Sequence, residues 1–178
     1  MGELSEAKAQ VVDGARREAD AYRGEAPRPL GGYVAVLVIY SAVVAVATAA
    51  ALLSGRTLPK RWSIQDLVTV TLGTHKLSRT LTKDAVTSPL RAPFTRYAGR
   101  GGPAEVNEDV RNESQLRHSL GELLTCPFCL DMWVATGFAI GLVFVPRFTR
   151  LTAGVFTVLA GADFLQLAYA RAQQSAEG

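Results

Sequence analysis

Residues 30–54 read LGGYVAVLVIYSAVVAVATAAALLS, and the run contains no charged side chain. At 1.5 Å per residue a helix of this length reaches about 37 Å, enough to cross a hydrocarbon core of about 30 Å. Tyr33 and Tyr40 lie towards its start, where aromatic anchors at the membrane interface are common. Ser41, Ala45 and Ala49 form a small-xxx-small row that lets another helix approach closely. The run reads as a transmembrane helix, and it sets the class of the whole chain. The protein has 178 residues, 48% of them hydrophobic, but the apolar residues sit in blocks with the charges between them. That segregation predicts an all-α, polytopic membrane protein with three to four spans and a polar connector.

On the N-terminal side, residues 1–29 are polar and mixed in charge. Ser5 to Tyr22 has helical spacing and composition, and Gly24, Pro27 and Pro29 break it. The apolar run begins too late for a signal peptide. On the other side, Gly55 to Trp62 forms a short basic turn. Ser63 is placed to cap a helix with Asp66 at its third position. Residues 63–81 are the ambiguous element. Leu67, Val68, Val70 and Leu72 suit a short span, whereas Gln65, Asp66, His75, Lys76 and Arg79 suit a helix lying in the interface.

Charge placement separates the two. If 63–81 crosses, 14 Lys and Arg fall on the side of both termini and the middle loop, against 5 on the other. If it does not, the split is 7 against 12, with the N-terminus outward. The positive-inside rule favours four spans, with both termini cytosolic.

Residues 82–122 form a polar cytosolic connector. Ser88 to Phe94 reads as extended and proline-punctuated, Gly99 to Pro103 as a flexible turn, and Asn107 to Glu122 as room for a short helix. A third span follows over residues 125–146 and a fourth over 149–171, with a polar tail at 172–178. Gly137 and Gly141 make a GxxxG pair on the third span. The net charge of +3 and the lack of basic runs interleaved with aromatics exclude a nucleic-acid binder.

The two cysteines, Cys126 and Cys129, form a Cys-Pro-Phe-Cys motif. Thr125 at an N-cap and Pro127 at the first helical position make this a helix start, where a thiolate is favoured. The motif admits plain packing, metal coordination or redox chemistry. Zinc needs about four ligands and one Cys-x-x-Cys supplies two, so a second subunit could supply another cysteine pair to a shared zinc. Asp163 lies well inside the fourth span and needs a partner, for which His75, Lys76 or Arg79 are the candidates. No Ser-His-Asp order, carboxylate pair or HExxH motif points to catalysis, and no catalytic residue is assigned.

Two segments, Thr74 to Phe94 and Leu124 to Trp133, together resemble the bacterial membrane family called domain of unknown function 1360, which includes a sporulation-associated protein. The shared pattern is a helix ending in a Leu-Ser-Arg element and an acid, a variable loop, then Cys-x-x-Cys leading into a Trp-bearing helix and a last apolar helix. It covers roughly residues 63–170, and the first span and tail look like an addition. Asp131 departs from the small residue expected there, which places charge near the cysteines. The resemblance implies a multi-pass membrane protein and no particular activity.

The sequence thus reads as an inner-membrane protein in contact with the bilayer, structural or interactive in role. A homo-oligomer or a membrane-protein partner would pack on its small-residue faces. A thiol-based metal or redox protein is the alternative, and a small transporter using Asp163 the third.

Overall fold

The computed structural model describes residues 2–24 and 28–177; the expected helix break at Pro27 lies outside them. The elements in order are α1 (Gly2–Arg23), α2 (Leu30–Leu53), α3 (Ile64–Lys83), a 3₁₀ turn (Ala85–Thr87), α4 (Ser88–Arg91), β1 (Thr95–Arg100), β2 (Val106–Val110), α5 (Gln115–Thr125), α6 (Pro127–Phe144) and α7 (Pro146–Glu177). The chain is mostly helical. Among the described residues α2, α6 and α7 are long and apolar enough to cross a membrane.

The least apolar of the packed long helices, α3, sits in the middle of the bundle, touching both α6 and α7. Its start is capped by the Ser63 hydroxyl, which accepts the Asp66 N–H at 3.0 Å. The Asp66 carboxylate then takes both forks of Arg150 on α7, at 2.8 and 3.0 Å. Further along, Val70 packs with Phe138 of α6 and Ala153 of α7, flanked by Leu77, Val134 and Leu142. Gly73 lies against the Ala153 backbone so closely that a Cβ there would stand 2.9 Å from the Ala153 carbonyl oxygen. Without a side chain at Gly73 the two backbones meet, and the Thr157 hydroxyl donates to the Thr69 carbonyl at 2.8 Å. At the far end Lys76 reaches Asp163 at 2.6 Å. Contacts from Asp66 to Lys76 therefore climb α7 from Arg150 to Asp163, so α3 and α7 run parallel.

Helix α2 packs on α5 and the α6 face. The Tyr40 and Thr136 hydroxyls share a 2.8 Å hydrogen bond, and the Tyr40 ring meets Trp133 edge-on with centroids 5.1 Å apart. Beyond the end of α2, Arg56 donates to the Val143 carbonyl at 3.0 Å and lies over the Phe144 ring. The tight joint between α6 and α7 brings Gly141 against Thr149, where a Cβ would stand 2.5 Å from the hydroxyl oxygen.

Burial runs against the soluble pattern. The buried side chains include Thr74, Ser78, Thr82, Arg91, Thr95, Ser119 and Thr149, while Leu37, Val46, Leu52, Val158 and Leu165 are exposed. Soluble proteins bury Val, Leu and Phe and expose Thr, Ser and Arg.

The connector departs from expectation. Ser88 to Phe94 is not extended: a 3₁₀ turn and α4 occupy Ala85–Arg91, with Pro89 in the first turn of α4, where a missing N–H costs nothing. The stretch around Gly99 is not only a turn but the end of an antiparallel hairpin, pairing Thr95 with Val110 and Arg100 with Val106, with a bulge between Tyr97 and Gly99. Gly99 takes φ +151, a value that favours glycine. Helix α7 also continues past Arg171 to Glu177. The all-α class fits the chain with this one hairpin added.

Because Gly73 sets the α3–α7 distance, Gly73→Leu should lower the thermal stability of detergent-solubilised protein by about 1–3 kcal/mol. Gly137, which has nothing within 4 Å of a built Cβ, should tolerate Gly137→Leu to within about 0.5 kcal/mol. Equal losses in the two variants would contradict this packing.

Candidate functional site

The C-terminal end of α3 leaves carbonyls without intrahelical donors. Arg91, delivered by α4, supplies them. Its side chain is fully buried at 0% exposure. One terminal nitrogen donates to the Leu81 carbonyl at 2.8 Å and to Thr87 Oγ1 at 2.6 Å. The other donates to the Asp84 carbonyl at 2.9 Å, Ser88 Oγ at 3.2 Å and Glu108 Oε1 at 3.1 Å. Nε–H donates to Glu108 Oε2 at 2.8 Å. Thr87 Oγ1 in turn donates to the Thr80 carbonyl at 2.6 Å, and Thr95 Oγ1 donates to Glu108 Oε2 at 3.1 Å. A guanidinium has five N–H donors, and all five are used. The cluster ties the α3 end, the 3₁₀ turn and the hairpin together, and leaves no donor to bind a ligand.

Burial alone would raise the Glu108 carboxyl above its usual value. The Arg91 fork, helped by the Thr95 and Ser88 hydroxyls, more than offsets this and holds it below that value.

A second cluster joins α2 to α5. The Glu122 carboxylate accepts from Tyr33 Oη at 2.5 Å and from Arg28 at 3.3 Å, and His118 Nε2 lies 3.3 Å from it. Ser119 Oγ donates to the Pro29 carbonyl at 3.4 Å. Gly32 fits against Gln115 and Ser119, leaving no room for a Cβ.

Helix α5 hands over directly to α6 at the Cys-Pro-Phe-Cys motif. The N-cap is Cys126 rather than the expected Thr125. Pro127 is the first helical residue, so the cap falls one residue later, and the Thr125 hydroxyl turns back to the Gly121 carbonyl at 2.9 Å. Cys126 Sγ accepts the Cys129 N–H at 3.3 Å and lies 2.7 Å from Cys129 Sγ. Both thiols are free; Cys129 is exposed and Cys126 half-buried. Among the described residues no three His, Cys, Asp or Glu side chains come together to hold a metal ion.

Asp163 pairs with Lys76, not with Arg79 or His75. Arg79 lies one turn further along α3 and is taken by Glu105 of the hairpin at 2.6 Å. The hairpin loop is held there by the backbone bond from Ala85 N–H to the Ala104 carbonyl. His75 stacks on Phe164, with centroids 6.1 Å apart. Of the helix-packing residues, Gly141 meets Thr149, whereas Gly137 is open. Ser41, Ala45 and Ala49 are exposed, so among the described residues no other helix covers that row. Asp131 Oδ1 and Thr74 Oγ1 are buried with no hydrogen-bond partner among the described residues.

The family model described as a protein of unknown function (DUF1360) matches residues 69–169. The chain belongs to this family. The matched region begins inside α3 and ends inside α7, so it holds the Arg91 cluster, the two cysteines and the Lys76–Asp163 pair. Helices α1 and α2 precede it. No curated protein and no solved structure matches the chain.

Sequence reasoning missed Arg91 and Glu108. The available signal was an arginine among Thr87, Ser88 and Thr95 just after a helix end, where carbonyls need donors.

Arg91→Ala leaves Glu108 buried and unpaired, and should cost about 3–5 kcal/mol of stability. The double variant Arg91→Met/Glu108→Leu should recover only part of this, because the Leu81 and Asp84 carbonyls still lose donors worth about 1–3 kcal/mol. Full recovery would mean the carbonyl contacts are unimportant.

The depressed Glu108 value also sets an acid limit. Its contribution is complete above the ordinary carboxyl value of 4.5 and is lost as pH falls through the lower folded value. Stability measured between pH 6 and pH 3 should therefore fall more steeply for the natural protein than for the double variant.

Proposed function

We propose that this DUF1360 protein is an integral inner-membrane protein in which α2, α3, α6 and α7 all cross, with the hairpin and both termini cytosolic. Its role is structural or interactive rather than enzymatic. The exposed apolar surface of the long helices supports this reading most directly: Leu37, Val46, Leu52, Val158 and Leu165 face outward, while Thr74, Ser78 and Thr149 lie inside beside Val70 and Phe138. Lipid tails favour that outer surface and water does not.

The position of α3 supports a fourth crossing. A helix lying in the interface would cut across the spans, yet α3 runs beside α7 over its length, and ion pairs join the two helices at Asp66–Arg150 and Lys76–Asp163. With α3 crossing, the excess of Lys and Arg falls on the cytosolic side.

The open row of Ser41, Ala45 and Ala49 on α2 is the face offered to a second copy or another membrane protein. Small residues let helix backbones approach closely in lipid. The Lys76 ammonium satisfies Asp163, which fits interhelical pairing better than a transport path. A second reading, thiol chemistry, is favoured by one observation: the two sulfurs stand 2.7 Å apart. The pair offers two of the four ligands zinc takes, so redox use suits it better than metal binding.

The topology is tested with single reporter cysteines in a Cys126→Ser/Cys129→Ser background, labelled by an impermeant maleimide on intact cells. Ser54→Cys should label from outside. Ala98→Cys and Ser175→Cys should label only after permeabilisation. Labelling of Ser54→Cys and Ala98→Cys from the same side would overturn the crossing of α3.

A further inference from the structure

We propose that Cys126 and Cys129 form a thiol–disulfide exchange site in which Cys129 is the sulfur a partner reaches and Cys126 is the sulfur that leaves and resolves. The proposal rests on the thiol reading of the motif and adds a direction to it. Three observations carry it. The sulfurs are 2.7 Å apart, so closing them to a bond of about 2.05 Å needs less than an ångström of movement. Cys129 is exposed and Cys126 half-buried, so an incoming group meets Cys129 first. Cys126 is the N-cap of α6, and its sulfur accepts the Cys129 N–H at 3.3 Å.

That last contact assigns the roles. A helix N-terminus with an N–H aimed at sulfur stabilises a thiolate. In exchange, the better-stabilised thiolate leaves faster, and access decides which sulfur is attacked. Both criteria select the same pathway. A partner thiolate attacks Cys129 Sγ of the closed pair, the Cys126–Cys129 bond breaks, and its electron pair departs on Cys126 Sγ.

The reverse reaction follows the same path. Cys129 Sγ, its proton passed to Cys126 Sγ along the S–H···S contact, attacks a peptide disulfide, forming a mixed disulfide and releasing one partner thiolate, which takes that proton. The Cys126 thiolate then attacks Cys129 Sγ, closes the internal bond and releases the second partner thiolate. The two cysteines lose two electrons and two protons, and the partner disulfide gains them. In the proposed orientation the site lies at the cytosolic membrane edge, where disulfides are transient and serve catalysis or sensing.

Glutathione disulfide serves as the probe on full-length protein in detergent or membrane vesicles. In the natural sequence, raising the ratio of oxidised to reduced glutathione should abolish maleimide labelling of both cysteines together, with the peptide lighter by two hydrogens. In Cys126→Ser a stable glutathione adduct should accumulate on Cys129. In Cys129→Ser the adduct on Cys126 should be largely lost. Serine caps a helix well, so Cys126→Ser keeps the start of α6. An adduct favouring Cys126, or equal on both, overturns the assigned direction and leaves the dithiol reading standing. Unchanged labelling in the natural protein and no adduct in either variant overturns both.

Discussion

A guanidinium shut away from water needs a counter-charge and a partner for each of its five N–H groups, and Arg91 obtains both from three different parts of the chain. The Leu81 and Asp84 carbonyls come from the end of α3, the Thr87 and Ser88 hydroxyls from the turn that follows, and the carboxylate from Glu108 on β2. Leaving any of these groups unmet would strand a buried polar atom. The turn therefore has to fold back, and the hairpin has to pair in the register that presents Glu108. That register brings Glu105 to Arg79 and Ala104 to Ala85. The connector is in this sense built around one side chain.

The same logic explains why the most polar of the packed long helices is the central one. In the proposed bilayer, packing does not depend on expelling water, so close backbone contact and hydrogen bonds hold the helices together. On α3 these are Gly73 against Ala153, the Thr69 carbonyl under Thr157, and the pairs Asp66–Arg150 and Lys76–Asp163. In that setting a more apolar α3 would gain nothing and would lose these links. The polar side chains that made residues 63–81 ambiguous are the ones that fasten it to α7. Beside this frame, the dithiol at the start of α6 is open on its Cys129 side, and it carries the proposed chemistry without disturbing the clasp.

Several features were legible because they depend on local chemistry. The charge-free run of α2, the Ser63 cap and the proline at the start of α6 follow from length, hydrogen-bonding capacity and the missing N–H of proline. The DUF1360 resemblance was also carried by contiguous residues. The hairpin was hidden because its strands bury Thr95 and Glu108 rather than alternating apolar residues. The Asp163 partner was narrowed to three neighbours, and Lys76 was selected by where Glu105 and Phe164 happen to stand. The N-cap was misplaced by one residue, since Thr125 could equally cap a helix or close one.

The sequence by itself determined the mostly helical class, the apolar segments long enough to cross a membrane, their order and the spacing of the two cysteines. These rest on hydropathy and on the 1.5 Å rise per residue, which need no knowledge of neighbours. Only the tertiary structure decided that α3 lies at the centre, that Arg91 is the buried clasp, and that Cys126 caps while Cys129 is exposed. Each of those depends on which groups are brought together from distant parts of the chain. The energy of a buried charge or a close backbone contact is set by partners that no local stretch contains.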